Sequence, residues 1–307
     1  MKASDKLDFI KKYKAGKAQI VQKELIADIE TPISSLIKIS KNEKYSFLLE
    51  SVEGGSVRGR YSIIGMKPDL IWRCRNGFAE INRKVCDDDD AFEKLSKKPL
   101  ESLRDLIQES HFNLPDHLPP MSSGLVGYLG YEMVRQMELL PDNKLIDELN
   151  LPEAFLIRPT IMAIFDSVNN TITIVTTVRP EGGKSPRSAY SQAEARLAES
   201  VSDLESSLKL PANLNNVPLK LDAPSSNTTK SQYHDMVNAA KNYIIAGDIF
   251  QVVPSQRFSA PFHLPAFSLY RSLRRLNPSP FLYHLNFGEF SIVGSSPEIL
   301  IRLRDDV

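Results

Sequence analysis

Cysteine and tryptophan are scarce in this chain, whose 307 residues include two cysteines and one tryptophan. Cys74 and Cys86 are too few for a disulfide framework or a thiolate metal site, and a reducing compartment is the simplest fit. Neither sign of charge is in excess, because 38 basic residues balance 38 acidic ones. Binding a nucleic-acid backbone requires clustered cationic charge, so nucleic acid is excluded as a partner. Long apolar runs are missing as well; none approaches the roughly 20 residues needed to span a bilayer, which excludes a helical membrane anchor. The first residues, MKASDKLDFIKKYKAGK, are basic but lack a continuous apolar stretch, which argues against secretion. Cytoplasm is the expected location. What is present, 42% apolar and 25% charged residues, is the balance of a soluble globular protein.

The pattern along the chain alternates helices with antiparallel strands. In IETPISSLIKIS, Thr31 caps a helix and Pro32 occupies its first turn. YSFLLESVEGG reads as a strand ending at Gly54 and Gly55, and the stretch from Gly59 to about residue 81 as successive short strands. Leu100, Leu103, Leu106 and Ile107 predict an amphipathic helix in PLESLRDLIQES. Gly124, Gly127 and Gly130 lack the turn of a dinucleotide site and instead allow two elements to approach closely. FLIRPTIMAIFDSVNNTITIVTTV is a hairpin turning at Asn169 and Asn170. A helix over roughly 189–208 and a Pro/Asn/Ser-rich linker follow, then a helix with Tyr233, Met236, Val237, Ala240 and Ile244 inward, stopped at Gly247. Residues 249–253 read as a strand, 267–277 as a helix, and 280–300 as a hairpin turning at Asn286 to Glu289. Four segments result: an N-terminal extension (1–24), a first large region (25–180), a helix and linker (181–230), and a second region (231–307). The last stops at Val307, amid what reads as continuing sheet, so a truncated chain is expected.

Several polar residues stand out, each with two readings. Gln251, among valines, either makes a structural hydrogen bond or orients a polar substrate without acting as a base, which an amide cannot do. Glu50 and Ser51 either terminate a strand or bind an ammonium group and a hydroxyl or carboxylate. Pro278 and Pro280 stiffen the approach to Phe281 and Leu282, as a plain turn or as the edge of an apolar cleft for a flat aromatic guest. Gly294, Ser295 and Ser296 could present successive amides to an anion, with Pro297 aiming Glu298. Arg271, Arg274 and Arg275 suit the wet face of a helix. Asp87 to Asp90 read as a solvated turn, since adjacent carboxylates point apart whereas calcium loops space their ligands.

Six of these stretches, LLESVEGG, GRYSIIG, GYLGYEMVR, GDIFQVVPSQRF, NPSPFLYHL and GSSPEIL, occur here in one order and spacing. Together they resemble the large, chorismate-using subunit of anthranilate synthase, from about Ile29 onward. The resemblance implies a mixed α+β fold with antiparallel-rich sheets stacked face to face and helices outside. It implies a lyase that converts chorismate and ammonia to anthranilate and pyruvate, with Mg2+ as cofactor and a glutamine amidotransferase subunit as partner. It also implies feedback by L-tryptophan at Ser51 and Glu50, with Pro280, Phe281 and Leu282 as the second wall and Arg60 in support. Phe281 and Leu282 replace the commoner Tyr and Met, which keeps apolar bulk and removes a phenol oxygen.

Relatives that add water to chorismate place a lysine base where Gln251 stands; glutamine withholds that base, which fits ammonia as the nucleophile. Gln251 and Glu298 are thereby placed near the active site. The family's metal-binding glutamates, catalytic histidine and carboxylate-binding arginine have no counterpart before Val307. The resemblance places them beyond that residue, so no metal ligand is named and the chain alone is expected to be inactive. Aminodeoxychorismate synthase is the competing relative, and a non-catalytic tryptophan-binding fragment is a third possibility.

Overall fold

The computed structural model describes residues 3–41, 43–53, 57–141, 147–209 and 223–303. The first half contains α1 (Ala3–Lys14), β1 (Gln19–Ile26), α2 (Pro32–Ser40), β2 (Ser46–Glu53), β3 (Val57–Arg75), β4 (Phe78–Asn82), β5 (Glu93–Lys94) and α3 (Pro99–Ser110). The second contains β6 (Val126–Leu129), β7 (Ala154–Asp166), β8 (Thr171–Val178), α4 (Pro186–Glu205), β9 (Ser225–Ser226), α5 (Lys230–Ala246), β10 (Phe258–Ser259), α6 (Ala266–Leu276), β11 (Phe281–Asn286) and β12 (Ser291–Ser296). They sort into two compact units: residues 1–210 with 266–307, and residues 211–265.

In the first unit ten strands form one antiparallel sheet, with β1-β8-β7-β3-β2-β11-β12 as its main path. Strands β3 and β7 pair over a long stretch, but Pro68 stands opposite Pro159. Neither proline has an N–H, so the ladder lacks bonds there. Lys67 takes a left-handed φ of 49°, and the register slips between Pro68 and Leu70. The Thr160 hydroxyl, 2.5 Å from the Lys67 carbonyl, supplies a replacement bond. The sheet creases at this point.

Because of the crease, its two limbs lie face to face. Phe155 of β7 and Phe287, just past β11, are separated by three strand spacings, so they would lie at least about 14 Å apart if the sheet were flat. Their ring centroids are 4.7 Å apart. Phe47, Ile63, Leu285, Ile71 and Ile157 join them in one buried cluster between the limbs. Helices cover the outside. Leu36 and Ile39 of α2, Tyr190, Leu197 and Val201 of α4, and Tyr270 of α6 pack against Leu48, Ile64, Met66 and Ile161. Leu103 and Leu106 of α3 cover Trp72 and Leu70 on the other limb, where the Trp72 indole donates to Ser102 Oγ at 3.0 Å. Stacked antiparallel sheet with outer helices is the architecture the resemblance implied.

Local expectations hold in several places. Thr31 caps α2 in a reciprocal box with Ser34, and the β7–β8 turn passes through Asn170 at a φ of 51°. Gly127 and Gly130 permit close approach, since a Cβ on Gly127 would lie 1.9 Å from the Phe155 carbonyl. Another fails: Ile107 is exposed. Gly54 and Gly55 lie outside the described residues. The sheet expected to continue to Val307 stops at Ser296, the end of β12, and residues 297–303 form no strand. Strand β12 is the last on the main path, and among the described residues no strand pairs with its outer edge. Val307 itself, with residues 304–306, lies outside the described residues.

In the second unit, α5 ends at Gly247 as expected and is capped by Thr229, yet none of its residues is buried. The inward face expected for Tyr233, Met236, Val237, Ala240 and Ile244 is therefore not formed. Tyr233, Val237 and Ala240 are half-shielded, while Met236 and Ile244 are exposed. Residues 249–253 are not a strand, and Gln251 is exposed. Strand propensity cannot be realised without a neighbour, and this unit's described pairing is limited to the two-residue ribbon β9–β10.

Candidate functional site

Strand alternation sends successive side chains of β2 to opposite faces. Leu48 enters the helix-covered core and Leu49 packs toward the space between the limbs. Glu50 accordingly lies under α6, and Ser51 turns toward the inner face. The pairing of β2 with β3 breaks there: Glu50 pairs with Ser62 and Val52 with Arg58, so Gly59, Arg60 and Tyr61 stand opposite Ser51 alone. Such a bulge bends its strand. Gly59 makes it possible, because a Cβ there would lie 2.5 Å from the Ser51 Cβ.

Glu50 is 6% exposed. A carboxylate so placed requires strong partners, and α6 supplies them. Tyr270 Oη donates to Oε2 at 2.6 Å, Arg274 Nε to the same oxygen at 2.6 Å, and Arg274 Nη2 to Oε1 at 2.8 Å. The bond to Glu50 holds the Arg274 guanidinium above its ordinary value, while burial, reinforced by the Glu50 charge, pushes the Tyr270 phenol far up. Both groups stay protonated and keep donating. The wet helix face expected for all three arginines holds for two: Arg271 and Arg275 are exposed, but Arg274 turns inward. The missed signal is the four-residue step from Tyr270 to Arg274, which stacks both over Glu50.

Phe281 and Leu282 divide between the same two faces. Leu282 pairs with Glu50 and is buried on the α6 side. Phe281 is 39% exposed, and Pro280 is half-buried at the entrance to β11. On the inner face Tyr283 lies across Gly294, where a Cβ would sit 2.0 Å from its Cζ. Ser51, Phe281 and Tyr283 thus share a face, with a small hydroxyl beside aromatic surface. Arg60 is engaged elsewhere: its guanidinium binds both oxygens of Asp166, the nearest at 2.8 Å, and lies over the Tyr61 ring.

Gly294, Ser295 and Ser296 end β12, paired with Tyr283, Leu282 and Phe281. An extended strand points alternate amides in opposite directions, so the expected run of convergent amides is not formed. Ser295 instead donates to the Asn277 carbonyl at 2.7 Å. Glu298 is exposed, and its carbonyl accepts from Ser296 Oγ at 3.1 Å. Gln251 belongs to the other compact unit. Among the described residues no three His, Cys, Asp or Glu side chains converge to hold a metal ion, so they do not by themselves fit magnesium.

A family model described as "chorismate binding enzyme" matches residues 60–307. The chain belongs to that family. Among chorismate-binding enzymes it is similar to anthranilate synthase component 1 of Cereibacter sphaeroides, with 48% identity over 97% of this chain and 59% of that protein. Anthranilate synthase component 1 of Thermus thermophilus is 36% identical over 92% of the chain and 56% of its own length. The chain therefore spans less than three-fifths of these relatives. A solved anthranilate synthase component I from Streptococcus pneumoniae superposes with a TM-score of 0.62 at 26% identity, covering 92% of this chain and 59% of that one. The isochorismate synthase MenF of Escherichia coli, at 14% identity and a TM-score of 0.51, shares the fold.

Proposed function

We propose that this chain is part of an anthranilate synthase large subunit, in which chorismate and ammonia give anthranilate, pyruvate and water. The observation that carries the reading is the 48% identity to an anthranilate synthase component 1 over nearly the whole chain. Gln251 is consistent with it: an amide cannot accept a proton from water, whereas ammonia is itself a competent nucleophile. A glutamine amidotransferase subunit is the expected ammonia source. Mg2+ is the expected cofactor of such a large subunit. L-Tryptophan is the expected inhibitor, and the inner face bearing Ser51 and Phe281 is where it would bind.

The deciding experiment uses the longer protein with chorismate, magnesium and ammonium. The fluorescent ortho-amino product is expected; a para-amino product would transfer the assignment to aminodeoxychorismate synthase. With the nitrogen source withheld, Gln251→Lys is expected to raise isochorismate formation. Isochorismate made at full rate by the unaltered protein would remove Gln251 from any role in choosing the nucleophile.

A further inference from the structure

Glu50 anchors both ends of one short loop. Its backbone pairs with Leu282 at the start of β11, and its carboxylate binds Arg274 near the end of α6. Residues 274–282 are therefore closed into a ring through a single residue. Inside it, Ser279 Oγ donates to the Phe281 carbonyl at 3.3 Å, and Ser295 of β12 holds the Asn277 carbonyl. Pro278 and Pro280 remove backbone freedom from what remains. The other titratable group against this cluster is His284 of β11, whose ring is 5.9 Å from Tyr270 and which burial keeps uncharged.

We infer that Tyr270 and Arg274 are positioning residues for the inner face: by gripping Glu50 beneath the sheet they fix how far Ser51 stands from Phe281 above it. Strand alternation separates the grip from that face by one backbone thickness. Loosening the carboxylate frees both the β2 bulge at Ser51 and the Pro278–Phe281 turn, since each is tied to Glu50 and the turn's remaining side-chain ties come from Ser279 and Ser295. Glu50, with all its described side-chain hydrogen bonds used on α6, acts as the clasp rather than as a direct partner of an ammonium group. This rests on the proposal that tryptophan binds the inner face and adds to it how the site is held.

Titration calorimetry of the 307-residue chain with L-tryptophan tests it, alongside amide exchange without ligand. Tyr270→Phe keeps the buried ring and removes only the hydroxyl; Arg274→Gln removes the charge. Each is expected to weaken tryptophan binding by about tenfold, the size of one lost charge-assisted bond. Each should also speed exchange at Ser51 and Phe281. Combined with Ser51→Ala, Tyr270→Phe should be non-additive, although Tyr270 and Ser51 lie on opposite faces. Should Arg274→Gln fail to fold, Tyr270→Phe carries the test. Variants that melt lower yet bind tryptophan as the parent does would overturn the inference and leave the tryptophan site standing. Absence of heat from the unaltered chain would overturn the tryptophan reading, and the exchange data would still report on the clasp.

Discussion

His284 illustrates how one side chain can set acid stability. It is 6% exposed, its Nδ1 has no hydrogen-bond partner among the described residues, and burial lowers its pKa from 6.5 to about 4. The unfolded chain takes up that proton near the ordinary value, while the folded chain resists until near 4. The contribution is complete above about pH 6.5 and is lost as pH falls toward 4, a span worth on the order of 3 kcal/mol. Thermal melts across this window should show the decline. His284→Phe, which suits the neighbouring Phe267 and Tyr270 rings, should flatten it; equal slopes for both proteins would exclude His284 as the cause. Gly59 makes a steric prediction. Gly59→Ala drives a methyl into Ser51 and should cost about 1–3 kcal/mol, read as a lower denaturation midpoint. Neither effect could be read from the sequence, because His284 looks like any strand residue and Gly59 like any turn glycine until their neighbours are known.

Elements were legible where the cause of each is local. Thr31 and Pro32 start α2 by capping chemistry, and Asn170 turns the β7–β8 hairpin by tolerating a positive φ. The crease is different. Pro68 and Pro159 are visible in the sequence, but only their pairing across two strands bends the sheet. Edge strand β6 is a testable case of tertiary control, since a Cβ on Gly127 would meet the Phe155 carbonyl, which is backbone and cannot rotate away. Gly127→Ala should detach β6 from β7, seen as rapid amide exchange over residues 126–129 while β7 stays protected. Retained protection would mean that β7 itself gives way. Helix α6 lies where its pattern predicts, but the pattern misplaces Arg274, because three arginines in five residues suit solvent equally well until a buried carboxylate appears beneath one of them.

At the scale of the molecule, residues 211–265 and the remainder should differ in local stability. Helix α5 buries no residue, whereas β7 is buried along most of its length. Local opening follows the density of buried apolar contacts. Amide exchange in α5 should therefore be orders of magnitude faster than in β7, and equal protection would mean that α5 is covered in solution. The sequence by itself determined the family, several caps and turns, and the polar residues worth watching, because motif order, caps and turn residues act over a few positions. Tertiary structure alone decided that Glu50 serves α6, that Ser51 and Phe281 share a face, and that Gln251 is exposed. Those outcomes depend on register and on which surfaces meet, quantities that no residue carries in its own neighbourhood.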